Sequence, residues 1–290
     1  MGTSQSNPGP GGGVPMVPPW ADDPPSENEP TPEPDTEETP PADGSEDENG
    51  NKPNQPDPRL PPIEPAPARR FAGSSRNLGD YARSGDRSAL ERGVGQYVSK
   101  GYGGAGTATR RLGSTASTAG ALGSALSQLS GDTPPQEGNS LDPTLLAGKS
   151  ADEVMDAVVE AARPVDGTQD AEASRASIRD AMAEMLTNHP DADLFELTDS
   201  QREEIIENYA ANDVFRRFEL DIGKTIRDKA PSVAAGLSRL GQARGYIKQT
   251  VAAAFRGLRE SNKSFSERSI ASVVRTAIRD AFQVFEEYAQ

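Results

Sequence analysis

Cysteine is missing altogether, and histidine occurs once, at His189. Without thiols there are no disulfides, no thiolate metal site and no cysteine nucleophile. A single histidine leaves zinc chemistry and most nucleophile–base pairs without material. The composition fits a reducing compartment, so a cytoplasmic, non-enzymatic chain without metal or cofactor is expected. Long apolar runs are also lacking. No stretch of about 18 consecutive apolar residues occurs, which argues against a transmembrane helix, and the opening residues lack the charged stub and apolar run of a signal peptide. Tryptophan is present only as Trp20.

What is present falls into three blocks. Residues 1–68 hold 19 of the 25 prolines and 14 acidic residues, against Lys52 and Arg59 as the only bases, for a net charge of −12. Low hydrophobicity, dense proline and self-repelling charge leave too little apolar surface to offset ordering entropy, so a disordered tail is expected. Residues 69–130 carry nine Arg/Lys against Asp80, Asp86 and Glu91, and are rich in Gly, Ser, Ala and Thr. Residues 131–290 carry most of the aliphatic periodicity.

That periodicity is helical. In "KSADEVMDAVVEAARP", Ser150 is placed to cap a helix whose apolar face is Val154, Met155, Val158 and Val159, with Pro164 just past its end. "AEASRASIRDAMAEMLTNHP" puts Ile178, Met182, Met185 and Leu186 on one stripe and stops at Asn188 and Pro190. A third segment starts at Thr198 or Asp199 and carries Ile205, Ile206, Tyr209, Val214, Phe215, Phe218, Ile222 and Ile226 through a bend near Gly223. Two more follow, "SVAAGLSRLGQARGYIKQTVAAAFRGLRES" and "SERSIASVVRTAIRDAFQVFEEYAQ", and no period-2 strand run separates these segments. The expected fold is all-α, a bundle of about five to seven helices behind the tail. In the basic block, Val94, Tyr97, Val98, Leu112, Ala119, Leu122, Leu126 and Leu129 also recur at helical intervals. Each interior glycine costs a helix about 0.8–1 kcal/mol relative to alanine, so these helices need packing partners.

Several motifs fail on their context. "GYGGAG" supplies Gly101, Gly103 and Gly106 in a G-x-G-x-x-G pattern, but no strand precedes it and no acid follows at the required distance. A glycine turn between helices is the plainer reading, with an anion-binding nest beside Arg110 and Arg111 as the functional one. "AGKS" at Ala147 to Ser150 resembles the end of a phosphate loop, yet Pro143 stands where its first glycine belongs. His189 with Asp191 and Asp193 reads as a helix-ending loop, and Glu203, Glu204 and Glu207 as a solvated face. The arginines between Arg69 and Arg111 give an alternative function, a nucleic-acid-binding module, in which Arg110 and Arg111 would be contacts.

The first six residues satisfy a myristoylation motif, Met1-Gly2 with Ser6. One acyl chain anchors only marginally, and here it would be followed by Asp22, Asp23, Glu27 and Glu29, which an anionic surface repels. Membrane anchoring is a poor account of that glycine, and no membrane partner is expected. The start "MGTSQSNPGPGGGVPMVPPWAD" and the stretch "YARSGDRSALERGVGQYVSKGYGGAGTATRRLGSTASTAGAL" resemble the QatB proteins of the four-component Qat anti-phage defence system of bacteria. The resemblance covers the first 22 residues and about 80–125. It implies three partners: an ATPase, a QueC-like enzyme of deazaguanine chemistry and a TatD-like nuclease. It further implies that Gly2, once Met1 is removed, is a substrate for conjugation by the QueC-like enzyme, with Thr3 and Ser4 as the recognised flank. Trp20, within "VPMVPPWADD", reads as a docking anchor, since a proline-flanked aromatic buries much area at little entropic cost.

Overall fold

The computed structural model describes residues 69–131, 141–261 and 269–289. Among these residues all regular structure is helical. The basic block forms α1 (Ala72–Ser84), α2 (Arg87–Gln96), a π-helical turn (Tyr97–Gly101), α3 (Ala105–Arg111) and α4 (Gly113–Leu129). After the short α5 (Pro143–Leu146) come α6 (Ala151–Ala162), α7 (Gln169–Asn188) and α8 (Asp199–Phe218). A second π-helical turn (Glu219–Gly223) leads into α9 (Lys224–Lys229), α10 (Val233–Glu260) and α11 (Ile270–Glu287). The all-α expectation holds, and the bend expected near Gly223 is the second π turn. The disorder expected of residues 1–68 lies outside the described residues.

Helix starts follow local side-chain chemistry. Ser150 caps α6 by accepting from the Glu153 N–H, while the Glu153 carboxylate accepts from the Ser150 N–H, a complete capping box. That backbone bond, with help from Lys149 and the Ser150 hydroxyl, pulls the Glu153 carboxyl down to about 2. Thr198 and Gln201 make the same reciprocal pair at the start of α8. Replacing Thr198 by Ala removes an acceptor that nothing replaces, and we expect a loss of about 1 kcal/mol in urea denaturation of the full chain, with no change in helix content.

One hydrophobic core runs from Leu78 to Phe285 and draws on both the basic block and the later helices. Helix α4 lies against α6, α8 and α11, with Leu122 and Leu126 fully buried at its centre. Helix α8 packs on α7 and α10 along the stripe Ile205, Ile206, Tyr209, Val214, Phe215 and Phe218. Glycines of α2 and of the first π turn are sites of close approach. A Cβ on Gly95 would stand 2.7 Å from the Phe285 carbonyl oxygen of α11, and one on Gly101 would stand within the Phe71 ring's contact distance at 2.4 Å. At Gly95 the penalty in propensity is offset by two backbones that meet without a side chain between them, and at Gly101 by room for the Phe71 ring. Among the described residues, no helix is long and apolar enough to cross a membrane.

Candidate functional site

Gly2, Thr3, Ser4 and Trp20 all lie outside the described residues. Arg110 and Arg111 occupy the last turn of α3, both half-buried. The glycines of "GYGGAG" form the turn that joins the first π-helical segment to α3, where Gly103 and Gly104 take positive φ of 80° and 96°. The Gly104 N–H donates to the Val98 carbonyl at 3.0 Å, and a Cβ at Gly104 would lie 3.2 Å from the Glu286 carboxylate. An incoming anion would therefore meet an amide already bonded and a negative charge beside it. Elsewhere in the basic block, Arg83 pairs with Asp80 and Arg87 with Glu91, so part of the positive charge is compensated locally. Ser150 serves as a cap. His189 Nε2 lies 2.8 Å from the Glu204 carboxylate, and Glu207 pairs with Arg259. The acidic face of α8 is thus tied to its neighbours more than the sequence pattern indicated. Among the described residues, no group of three or more His, Asp or Glu is placed to hold a metal ion.

Two polar clusters emerge from the packing. The first lies where the two π turns meet. A π turn adds a residue to the helical repeat and rotates the side chains that follow, and such turns recur at functional positions. Here they bring Tyr97 and Tyr102 onto one carboxylate: both hydroxyls donate to Asp221 Oδ2 at 2.8 Å. Burial, joined by the Asp221 charge, raises both phenols, Tyr102 to about 12 and Tyr97 well above its ordinary value. Both therefore stay protonated as donors. Phe71 stacks on Tyr97 at 5.1 Å, Phe218 meets Tyr97 edge-on, and Arg70 lies over the Phe71 and Tyr102 rings. The cluster closes the junction of α1, the first π turn and the α8–α9 bend.

The second cluster is a seam inside the bundle. Asp213 on α8 is fully buried and accepts from the Thr115 hydroxyl of α4 at 2.6 Å. Arg217, one turn on, reaches Asp213 at 3.4 Å, Asp170 of α7 at 2.6 Å and Ser114 Oγ at 2.9 Å. Beside it, Ser174 and Tyr209 share a hydrogen bond of 2.7 Å. Burial pushes the Asp213 carboxyl up, against the opposing charge of Arg217 and the bond from Thr115. The seam ties α4, α7 and α8 in one register by directional bonds. It offers no opening in which a substrate atom would meet both an acid and a base, so its chemistry is positional. Sequence reading passed over Asp213 and Arg217. The available signal was their place at four-residue steps after Tyr209, within an otherwise apolar stripe.

Comparison with known proteins places the helical region in a family. Residues 103–285 fit the family model described as "Qat anti-phage system associated protein QatB", which spans most of the helical region. No curated protein and no solved structure matches the chain.

Proposed function

The chain belongs to the QatB family of Qat anti-phage system associated proteins, and from that premise we propose that it acts as a non-enzymatic scaffold whose N-terminal Gly2 is conjugated by a partner. Its partners belong to the same defence system. The finer reading assigns them as a QueC-like enzyme, an ATPase and a TatD-like nuclease, working together in the cytoplasm, with the QueC-like enzyme acting on Gly2.

The observation that carries the proposal is the sequence Met1-Gly2-Thr3-Ser4 in a chain of this family. A small residue after Met1 favours removal of the methionine. The α-amine then exposed titrates near 7.7–8.0, so a useful share of it is an unprotonated nucleophile at neutral pH. Glycine hinders that amine least. The 66 residues between Gly2 and Arg69, rich in proline and acid, would serve as the connection between that amine and the helical body. The helical body is the part that would hold the other components.

The reading takes Met1 as the initiating residue, and one measurement tests both points. Intact mass of the protein co-produced with the other three components should show Met1 removed and a mass added on Gly2, present only when the QueC-like enzyme is active. An unmodified glycine terminus in an active complex, or the mass of a myristoyl group, overturns it.

A further inference from the structure

Helix α10 carries a row of positions one turn apart: Val233, Leu237, Gly241, Gly245, Gln249 and Ala253. None of the six is buried and none is charged, in a chain with a net charge of −15. Val233 is 81% exposed and Leu237 62%, so two large apolar side chains are left in water. The glycines of the row raise a second question. At Gly95 and Gly101 the missing side chain makes room for a neighbouring element. At Gly241 and Gly245 a Cβ would meet nothing within 4 Å. Both lie inside a 28-residue helix, where only proline is a poorer helix former. Nothing among the described residues uses the notch they leave.

Beyond the notch lies a hollow of about 350 Å³, lined by Tyr246, Gln249 and Ala253 with Val284 of α11. The row therefore has protruding side chains at one end, a notch in the middle and a hollow at the other. These features are evenly spaced about residue 243. Gly241 and Gly245 stand two residues from it, Leu237 and Gln249 six, and Val233 and Ala253 ten. Such a surface is complementary to itself when turned end for end, as a two-fold isologous contact requires. Charge narrows the occupant further. Arg244 and Lys248, which flank the row, are paired with Asp180 and Glu184 of α7 in the same chain. A charged partner, nucleic acid included, gains nothing along a neutral row. Another copy shares the net charge of −15, and a neutral face is where it approaches with least repulsion.

We propose that this face of α10 is a homodimer contact, in which two copies cross antiparallel at Gly241 and Gly245. The four-residue rows of the two helices interdigitate, the commonest mode of helix packing, and the glycines let the backbones close on each other. Leu237 of one copy then lies over Gln249 and Ala253 of the other, and its Val233 lies toward the other copy's Val284. The row is about 30 Å long and one helix, about 10 Å, wide. It buries less than the roughly 800 Å² a side of a standard interface, so the dimer is weak and reversible, in the micromolar range. The contact does not involve Gly2 and holds or fails whether or not Gly2 is modified.

Sedimentation equilibrium of the full-length protein should show the average mass rising with concentration, from the 30.7 kDa of one chain toward twice that value. Leu237→Glu and Gly245→Glu should each hold the mass at one chain. Neither should lower the urea midpoint, since Leu237 is exposed and glutamate is a better helix former than glycine. The absence of cysteine lets the register be read as well. Under mild oxidation by copper–phenanthroline, a mixture of Leu237→Cys and Gln249→Cys chains should form the mixed disulfide, and neither variant alone should cross-link. Cross-linking of Leu237→Cys with itself means parallel helices and overturns the proposal. So does a mass that stays at 30.7 kDa at the highest concentration reached, or association that survives both glutamate variants, which places the contact elsewhere.

Discussion

Replacing Arg217 by Met should cost about 3–5 kcal/mol of folding stability, the largest effect expected of any single change in the helical body. The loss comes less from the missing ion pair than from what remains. Asp213 is completely buried, with Thr115 as its other donor, and without Arg217 its charge would face only neutral groups. Asp170 and Ser114 also lose their partner at the α7 and α4 edges. Urea denaturation of the full chain, followed by circular dichroism, reads the effect directly, and a loss below about 1 kcal/mol would show that the pair contributes no more than a surface bridge.

The same site predicts a pH dependence. Burial holds the Asp213 carboxyl above its ordinary value. A carboxyl raised on folding binds its proton more tightly in the folded chain. Its contribution to stability is therefore complete below the unfolded value near 3.9, and is lost as pH rises through the raised one. Removing Arg217 deletes the main influence opposing that rise. The deficit of Arg217→Met should shrink as pH falls from neutral toward the unfolded value near 3.9, as Asp213 takes up its proton. Adding Asp213→Asn should recover most of the deficit at neutral pH and abolish its pH dependence, because a neutral amide can keep the Thr115 bond.

How much of this was legible in sequence depends on the range of the interaction. Ser150 was readable as a cap, and Thr198 as one of two neighbouring choices with Asp199, because a capping box lies within four residues. The buried stripe of α8 was readable because burial repeats with the helical period. Asp213 and Arg217 were not, since a periodicity reading assigns charge to the solvent side, and only the partners on α4 and α7 reveal an inward face. The π turns were hidden for a related reason. Tyr97 and Tyr102 are five residues apart, a spacing that places them on different faces of a regular α-helix, and the wider turn brings both to Asp221. The glycines of α2 announced a weakness, but their use at Gly95 depends on α11, nearly 200 residues later in the chain. Gly2, Thr3, Ser4 and Trp20 belong to a different kind of inference. No periodicity or packing rule distinguishes them, and they were singled out by motif, by solitary occurrence and by resemblance.

The largest functional effect is expected at Gly2. A Gly2→Glu variant, supplied with the other three components, should give no protection against a phage that the intact system restricts. The bulky side chain keeps Met1 in place, so the nucleophile is displaced by one residue and the flank Thr3-Ser4 sits at the wrong distance from it. Gly2→Ala separates the two causes. Alanine still permits methionine removal and preserves the register of Thr3 and Ser4, so it should retain part of the activity and of the added mass. The stability of both variants should match that of the unaltered chain, because every core residue from Leu78 to Phe285 is the same in both. That expectation separates a lost reaction from a lost fold, and Arg217→Met supplies the opposite control: a weakened body behind an intact glycine. Full protection by Gly2→Glu would remove the N-terminal amine from the mechanism and leave the helical body as the working part of the protein.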